Sequence, residues 1–183
     1  MKHFIFFLLF IAACAQPRQA DQSAPEPLYD YDVEQRLNEL GMTLTPPPKP
    51  IANYVNAVRS GNLVFMAGKG PSRPDGTYIT GKVGVDLTVE EGYEAARLTA
   101  IAQLAALQAT IGDLNKVVRI VKVTGMVNAA PDFGRQPEVI NGFSDLMVEV
   151  FGERGKHARA AVGMGSLPRN IACEIEMIVE VQD

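Results

Sequence analysis

The strongest constraint on the fold is a regular alternation of apolar and polar residues near the C-terminus, from Gly155 to Val181. The alternation continues on both sides of a break at residues 166–170, which predicts two half-buried antiparallel strands joined as a hairpin. We expect one face to be apolar and the other to carry Arg159 and Glu174. The residues assigned to the apolar face of the first strand are Ala158, Ala160, Val162 and Met164.

An arginine that shares a face with carboxylates has two interpretations. It can be a structural ion pair on a solvated surface. It can also be a rigid fork that binds a carboxylate or phosphate beside a group able to accept a proton. The second interpretation requires Arg159 and Glu174 to lie on the same face, for instance with Arg159 opposite Glu176, because a one-residue slip would separate them.

Composition narrows the possible functions. The chain has 183 residues, is 47% hydrophobic and has a formal net charge of −4, which predicts one globular domain and disfavours binding to nucleic acid. Two histidines and two cysteines, widely spaced, offer no metal-binding cluster, so no metal site is expected. No glycine-rich phosphate-binding motif is present, and no cofactor is expected.

The N-terminus has the features of an export signal. Residues 1–13 contain a basic start, an apolar run too short to span a bilayer, and small residues at the end. Residues 11–14, Ile-Ala-Ala-Cys, are similar to the bacterial lipobox, in which Cys14 would be lipidated and anchor an exported, periplasmic protein to the membrane. Ordinary cleavage after Ala15 is the alternative.

The rest of the chain divides into three parts. Residues 14–28 are polar and proline-rich, which predicts a disordered tether. Residues 29–50 hold a short helix, Val33 to Leu40 with Asp32 as its N-cap, and a proline-rich lead-in. The domain itself occupies residues 51–183.

Periodicity within the domain predicts an α+β fold. We expect a first hairpin around residues 59–62, a possible short strand at 78–85, a helix from Thr88 to about Thr110, a strand at 117–127 and a helix from Pro137 to Phe151. The order is β-β-(β)-α-β-α-β-β, with two helices on one face of a mixed sheet. The other face holds alanines and glycines that cannot shield it, which favours a closed oligomer with clefts between subunits.

Several short motifs resemble those of the Rid/YjgF reactive-intermediate deaminase family, also called endoribonuclease L-PSP. They are Asn53-Tyr54, Met66-Ala67-Gly68, His157-Ala158-Arg159, Leu167-Pro168 and Cys173-Glu174-Ile175-Glu176. The resemblance implies a chorismate-mutase-like fold and a homotrimer. It also implies hydrolysis of small enamines and imines to keto acids and ammonia, in clefts between subunits and without a metal or bound cofactor.

The resemblance also implies roles for individual residues. Arg159 would bind the substrate carboxylate, Glu174 would position or deprotonate the attacking water, Tyr54 would line the cleft, and the backbone at Gly68 would approach the ligand. The chain departs from the family's usual residues at four positions, which removes several polar contacts. These positions are Ala67, Lys69, Ala160 and Ala161.

Two functions therefore stay open at the level of sequence. One is an imine and enamine deaminase that uses Arg159 and Glu174. The other is a non-catalytic trimer that binds a small carboxylate or a protein partner in the same clefts. Cleavage of RNA is disfavoured, because an acidic chain with so few histidines offers neither phosphate attraction nor an acid–base pair. His157 is expected to lie on the sheet surface, and Cys173 to pack as a small hydrophobic residue.

Overall fold

A five-stranded mixed sheet organises the computed structural model, which describes residues 26–47 and 52–183. The strands lie in the order β1-β2-β5-β3-β4, with β3 and β4 parallel and every other pair antiparallel. Their bounds are β1 Ala57–Ser60, β2 Leu63–Lys69, β3 Val117–Asn128, β4 Ala158–Met164 and β5 Cys173–Val181. The predicted leader, Cys14 and the tether up to residue 25 lie outside the described residues.

In the described residues, three α-helices accompany the sheet: α1 Val33–Glu39, α2 Val89–Ile111 and α3 Gln136–Phe151. The predicted start of α2 at Thr88 is confirmed and is fixed by a capping box, in which the Thr88 side chain accepts from Glu91 N–H and the Glu91 side chain accepts from Thr88 N–H. The predicted N-cap Asp32 is also confirmed, because it accepts from Gln35 N–H at 2.8 Å. No helix in the described part of the chain is long and apolar enough to cross a membrane.

The α+β class and the two helices on one face are confirmed. Helices α2 and α3 pack against each other and against one side of the sheet, and the core lies between these layers. Its largest fully buried side chains are Phe143, Phe151, Leu104, Leu107, Leu114, Ile120, Ile140, Leu146, Met147, Ile175 and Met177. Residues 26–40 join this core at the far end of α3, where Val33 and Leu37 are buried.

The predicted closing hairpin is wrong. Strands β4 and β5 follow each other in the chain but are not hydrogen-bonded, because β3 lies between them. The segment 165–172 therefore crosses over β3 instead of forming a tight turn. Apolar and polar residues alternate along both β4 and β5, as they would in a hairpin. This alternation does not reveal which strand is the hydrogen-bonding partner.

The predicted faces of β4 are also reversed. Arg159 is paired with Val123, and Val123 is paired on its other side with Met177, so Arg159 lies on the face covered by the helices. Glu174 is paired with Met126 and lies on the opposite, uncovered face. Arg159 and Glu174 of one chain thus do not share a face, contrary to the expectation.

The first hairpin is confirmed with a tighter turn than expected, because Ser60 pairs directly with Leu63. The possible strand at 78–85 does not form. Only isolated bridges occur there, including Thr80 with Ile171 and Val83 with Ala129.

The uncovered face of the sheet exposes large apolar side chains. Val58 is 57% exposed, Phe65 44% and Val162 42%. Glutamates 174 and 176 lie on the same face. A monomer would leave this apolar surface in water, which is the situation in which a subunit contact is expected.

Candidate functional site

Arg159 is fixed by the first half of α3. Its Nη1 donates to Asn141 Oδ1 at 2.9 Å and to Ser144 Oγ at 3.0 Å, and its Nη2 donates to the carbonyl oxygen of Pro137 at 3.4 Å. Residues 137, 141 and 144 recur at helical spacing and lie on one side of α3. The helix therefore presents three acceptors in a row to the guanidinium.

All three acceptors are electrically neutral. The ion pairs within the described residues involve Arg36, Arg59, Arg97, Arg135 and Lys156, and Arg159 is in none of them. A half-buried guanidinium with an ordered side chain and no carboxylate partner retains its attraction for an external anion. This is the arrangement that a carboxylate-binding site needs.

His157 lies behind Ser144. Its Nε2 is 3.0 Å from Ser144 Oγ, and its Nδ1 is 2.7 Å from the carbonyl oxygen of Gly155. Burial and the charge of Arg159 lower the pKa of His157, although its contact with Gly155 opposes this shift. The expectation of a histidine on the sheet surface is wrong, because His157 is half-buried between β4 and α3.

A second set of predicted site residues lies on the uncovered face. A Cβ atom added to Gly68 would stand 2.3 Å from Glu174 Oε1. Glycine is therefore needed at position 68 for this carboxylate to keep its place. Burial and the neighbouring Glu176 raise the pKa of Glu174, which brings the carboxylate closer to the range of a general base at neutral pH.

The approach of Gly68 to Glu174 depends on a β-bulge. Met66 pairs with Met177 and Lys69 pairs with Ile175, so Ala67 and Gly68 together oppose one residue of β5. The interruption leaves two carbonyl oxygens facing the core. The side chain of Gln103 on α2 donates to both of them, to Ala67 O at 2.9 Å and to Ile175 O at 2.6 Å.

Gln103 is fully buried, and its Oε1 has no partner among the described residues. Burying an unpaired amide oxygen costs about 1–3 kcal/mol. This unfavourable contribution accompanies the two hydrogen bonds by which the same amide stabilises the bulge. Gln103 therefore affects Gly68 and Glu174 indirectly, by fixing the backbone of β2 and β5 beside them.

Tyr54 and Lys69 flank the bulge. Tyr54 is 54% exposed and lies two residues before Asn56, whose carbonyl oxygen accepts from Ala67 N–H at 2.9 Å. Lys69 Nζ donates to Asn56 Oδ1 at 2.5 Å, and burial lowers the pKa of the Lys69 amine. The segment before β1 thus covers the edge of β2 beside Gly68.

The structure does not bring the two halves together within one chain. Arg159 on β4 and Glu174 on β5 are separated by β3, and two strand spacings amount to roughly 10 Å. They also face opposite sides of the sheet. The geometry gives one chain a candidate anion-binding half-site at the β4 edge and a carboxylate at the β2–β5 bulge as a second candidate half-site.

Two surface hollows occur in the described part of the chain, one between residues 26–31 and 151–154 and one between the first turns of α2 and α3. Neither is lined by Arg159, Gly68 or Glu174. Within residues 26–47 and 52–183, no group of three or more His, Cys, Asp or Glu side chains is placed to hold a metal ion.

Residues 34–181 match the family model described as "YjgF/chorismate_mutase-like, putative endoribonuclease". The chain belongs to the YjgF/chorismate-mutase-like family. This confirms the resemblance inferred from the short motifs. It also agrees with the observed sheet and its two covering helices.

Three proteins illustrate what the chain is similar to. The chain is 42% identical to protein TCP17 of Trypanosoma cruzi over 152 residues, which is 82% of this chain and 95% of that protein. It is 29% identical to the 2-iminobutanoate/2-iminopropanoate deaminase of Escherichia coli K12 over 131 residues, 72% of this chain and 89% of the enzyme. The crystal structure of protein Atu1372 from Agrobacterium tumefaciens superimposes with a TM-score of 0.76 at 46% identity, covering 82% of this chain and 94% of that one.

Sequence reasoning missed three residues that support these two candidate half-sites. Asn141 and Ser144 lie in an amphipathic helix and have no distinctive motif around them. Gln103 had a visible signal, since it is a polar residue inside the apolar stripe of α2. Cys173 was interpreted correctly, because it is fully buried and burial raises its thiol pKa to about 12.

Proposed function

We propose that this protein hydrolyses small imino acids to keto acids and ammonia, in clefts that form between neighbouring subunits of a trimer. The observation that carries the proposal is the guanidinium of Arg159, which is ordered by Asn141 and Ser144 but has no carboxylate partner among the residues that the structure describes. A substrate carboxylate would complete its coordination with a bidentate ion pair.

Association of subunits would bring a half-site of one subunit next to the other half-site of its neighbour. Arg159 lies on β4, an edge strand, and Glu174 lies on the uncovered face. Packing the uncovered faces around an axis would bury Val58, Phe65 and Val162 and bring the β4 edge of one subunit to the bulge of the next. Each cleft would then contain Arg159 from one subunit and Gly68 and Glu174 from its neighbour.

The reaction needs only binding, orientation and one proton acceptor. With the substrate carboxylate on Arg159, the imine carbon would face Glu174 of the neighbouring subunit. Water adds its oxygen to that carbon while Glu174 takes a water proton. Glu174 then returns that proton to the nitrogen, which gives a carbinolamine. It next takes the hydroxyl proton of the carbinolamine and passes it to the nitrogen as the C–N bond breaks, so that ammonia leaves and the carbonyl of the keto acid forms.

The pKa of Glu174 suits this exchange. A carboxylate with its ordinary pKa is a weak base near neutrality, and the raised pKa of Glu174 makes it a stronger one. The name of the Escherichia coli relative, a 2-iminobutanoate/2-iminopropanoate deaminase, supports the same substrate class.

Initial rates of ammonia release from 2-iminobutanoate generated in solution test the proposal, after subtraction of spontaneous hydrolysis. We expect the wild-type chain to accelerate release and Arg159→Ala to lose about 100-fold or more, the scale of a lost buried charge pair. Arg59→Ala is the matched control, because Arg59 forms an ion pair with Asp183 and lies away from both half-sites.

A non-catalytic role is the alternative, and the same measurements distinguish it. A chain that binds 2-oxobutanoate in an Arg159-dependent manner but does not accelerate ammonia release would be a carboxylate-binding module. Ammonia release that is undiminished in Arg159→Ala would remove this site altogether.

A further inference from the structure

A continuous chain of hydrogen bonds runs from the backbone to the guanidinium of Arg159. It starts at the carbonyl oxygen of Gly155, passes through both ring nitrogens of His157 and the hydroxyl of Ser144, and ends at Arg159 Nη1. The successive distances are 2.7, 3.0 and 3.0 Å. Nothing in the chemistry described above requires His157.

The geometry fixes the direction of every bond in this chain. A carbonyl oxygen can only accept, so His157 Nδ1 must carry a proton and donate to Gly155. In a neutral ring Nε2 is then an acceptor, and the Ser144 hydroxyl donates a hydrogen bond to it. Both lone pairs of Ser144 Oγ are left free, and one of them receives the N–H of Arg159.

The surroundings of His157 favour its neutral form. The ring lies half-buried between β4 and α3, with its centroid 6.5 Å from that of Phe143 in an edge-on arrangement. Arg159 is the charged group that acts on it, and its positive charge opposes protonation of the ring. The acceptor role of Nε2 is therefore maintained at neutral pH.

We propose that Ser144 and His157 are positioning residues that hold the Arg159 guanidinium in its carboxylate-binding orientation. This inference rests on the proposed function of Arg159. Without His157, the Ser144 hydroxyl can rotate and donate to a carbonyl one turn back in its own helix, as serines in helices do. The guanidinium then loses a fixed acceptor and one of the contacts that order it.

The hydrogen-bond chain from Gly155 through His157 and Ser144 to Arg159 is called the relay below. Two pairs of variants test whether its hydrogen bonds, and not only the packing of these side chains, hold Arg159. Ser144→Ala removes the hydroxyl, while Ser144→Thr keeps it. His157→Leu removes the acceptor at the Nε2 position, while His157→Gln restores an amide oxygen close to it. The affinity for 2-oxobutanoate, measured by calorimetry, should fall about tenfold in Ser144→Ala and His157→Leu and stay within about twofold in the two conservative variants.

A measurement without ligand tests the relay independently. Rotation of the Arg159 guanidinium about its Cζ–Nε bond is visible by NMR of the side-chain nitrogens. We expect slow rotation in the wild type and in His157→Gln, and faster rotation in Ser144→Ala and His157→Leu. The nitrogen shifts of His157 should also report the tautomer protonated at Nδ1.

The outcomes distinguish this inference from the proposed function. If the wild type does not bind 2-oxobutanoate, or if Arg159→Ala binds it equally well, the proposed function fails and the ligand-free rotation rates still decide the relay. If binding depends on Arg159 while Ser144→Ala and His157→Leu keep wild-type affinity and slow rotation, the relay is overturned. A ring protonated at Nε2 would contradict it as well.

Discussion

Gly68 and Glu174 are in such close contact that position 68 has no room for a side chain. A Cβ there would lie 2.3 Å from Glu174 Oε1 and 3.1 Å from Glu174 Cγ. The atoms it would meet belong to a flexible side chain, so the structure can yield by moving the carboxylate. The glycine therefore determines where the carboxylate points.

Gly68→Ala should separate folding from activity. Because only the Glu174 side chain must move, we expect the free energy of unfolding to change by no more than about 1 kcal/mol. Ammonia release should fall at least about tenfold, because the carboxylate that we propose as the proton acceptor is displaced from its position. Gly134→Ala is the matched control, since a Cβ at Gly134 meets nothing within 4 Å. Full activity in Gly68→Ala would show that the carboxylate does not act from this position.

Gln103→Met should destabilise the fold through the bulge. The substitution keeps the volume but removes the donor that serves the carbonyl oxygens of Ala67 and Ile175, at about 1–3 kcal/mol for each buried group left unsatisfied. Because the substitution also removes the unpaired Oε1, which offsets about 1–3 kcal/mol, urea denaturation should show a net loss of about 1–3 kcal/mol. Gln108→Met on the same helix, where the amide contacts only exposed Glu34, should cost a few tenths of a kcal/mol at most. Equal losses of unfolding free energy in the two variants would show that the hydrogen bonds of Gln103 do not stabilise the bulge.

Glu174→Gln should stabilise the protein in a pH-dependent way. Its raised pKa means that the folded state disfavours the charged carboxylate. The penalty is fully present above the folded-state pKa and vanishes below the ordinary value of 4.5, where the group is protonated in both states. The Tm of Glu174→Gln should therefore exceed that of the wild type at pH 8, and the two should converge near pH 4. A difference in Tm that is uniform across pH would argue against this cause.

Cys14→Ser tests the proposed anchor, which lies outside the described residues. In a bacterial host the wild-type chain should incorporate labelled fatty acid and partition into detergent, because acyl chains give it membrane affinity. The serine variant should do neither. Detergent partitioning that survives the substitution would point to a different mode of attachment, and an unlabelled wild type would favour ordinary signal cleavage.

The elements with strong local signals were predictable from the sequence. The capping residues Thr88 and Glu91 define the start of α2, and Asp32 defines the start of α1. The β-branched run of β3 is equally distinctive. In each case the determining interactions lie within a few residues of one another, so no long-range information is needed.

The arrangement of the last two strands was not predictable. Ala158 and Ala160 on one face of β4 are as small as Ala161 and Gly163 on the other, so burial does not select a face from the sequence. The insertion of β3 between β4 and β5 depends on long-range pairing. For the same reason, the neutral acceptors that hold Arg159 come from a helix whose sequence indicates only amphipathic packing.

The most direct test of the central claim is subunit complementation between Arg159→Ala and Glu174→Gln. If each cleft takes Arg159 from one subunit and Glu174 from its neighbour, two inactive variants refolded together at equal amounts should regain about one quarter of wild-type ammonia release, since random assembly reunites the two intact residues in that share of clefts. Each variant refolded alone provides the baseline. Mixed oligomers, verified by mass, that remain as inactive as their parents would contradict a site shared between subunits.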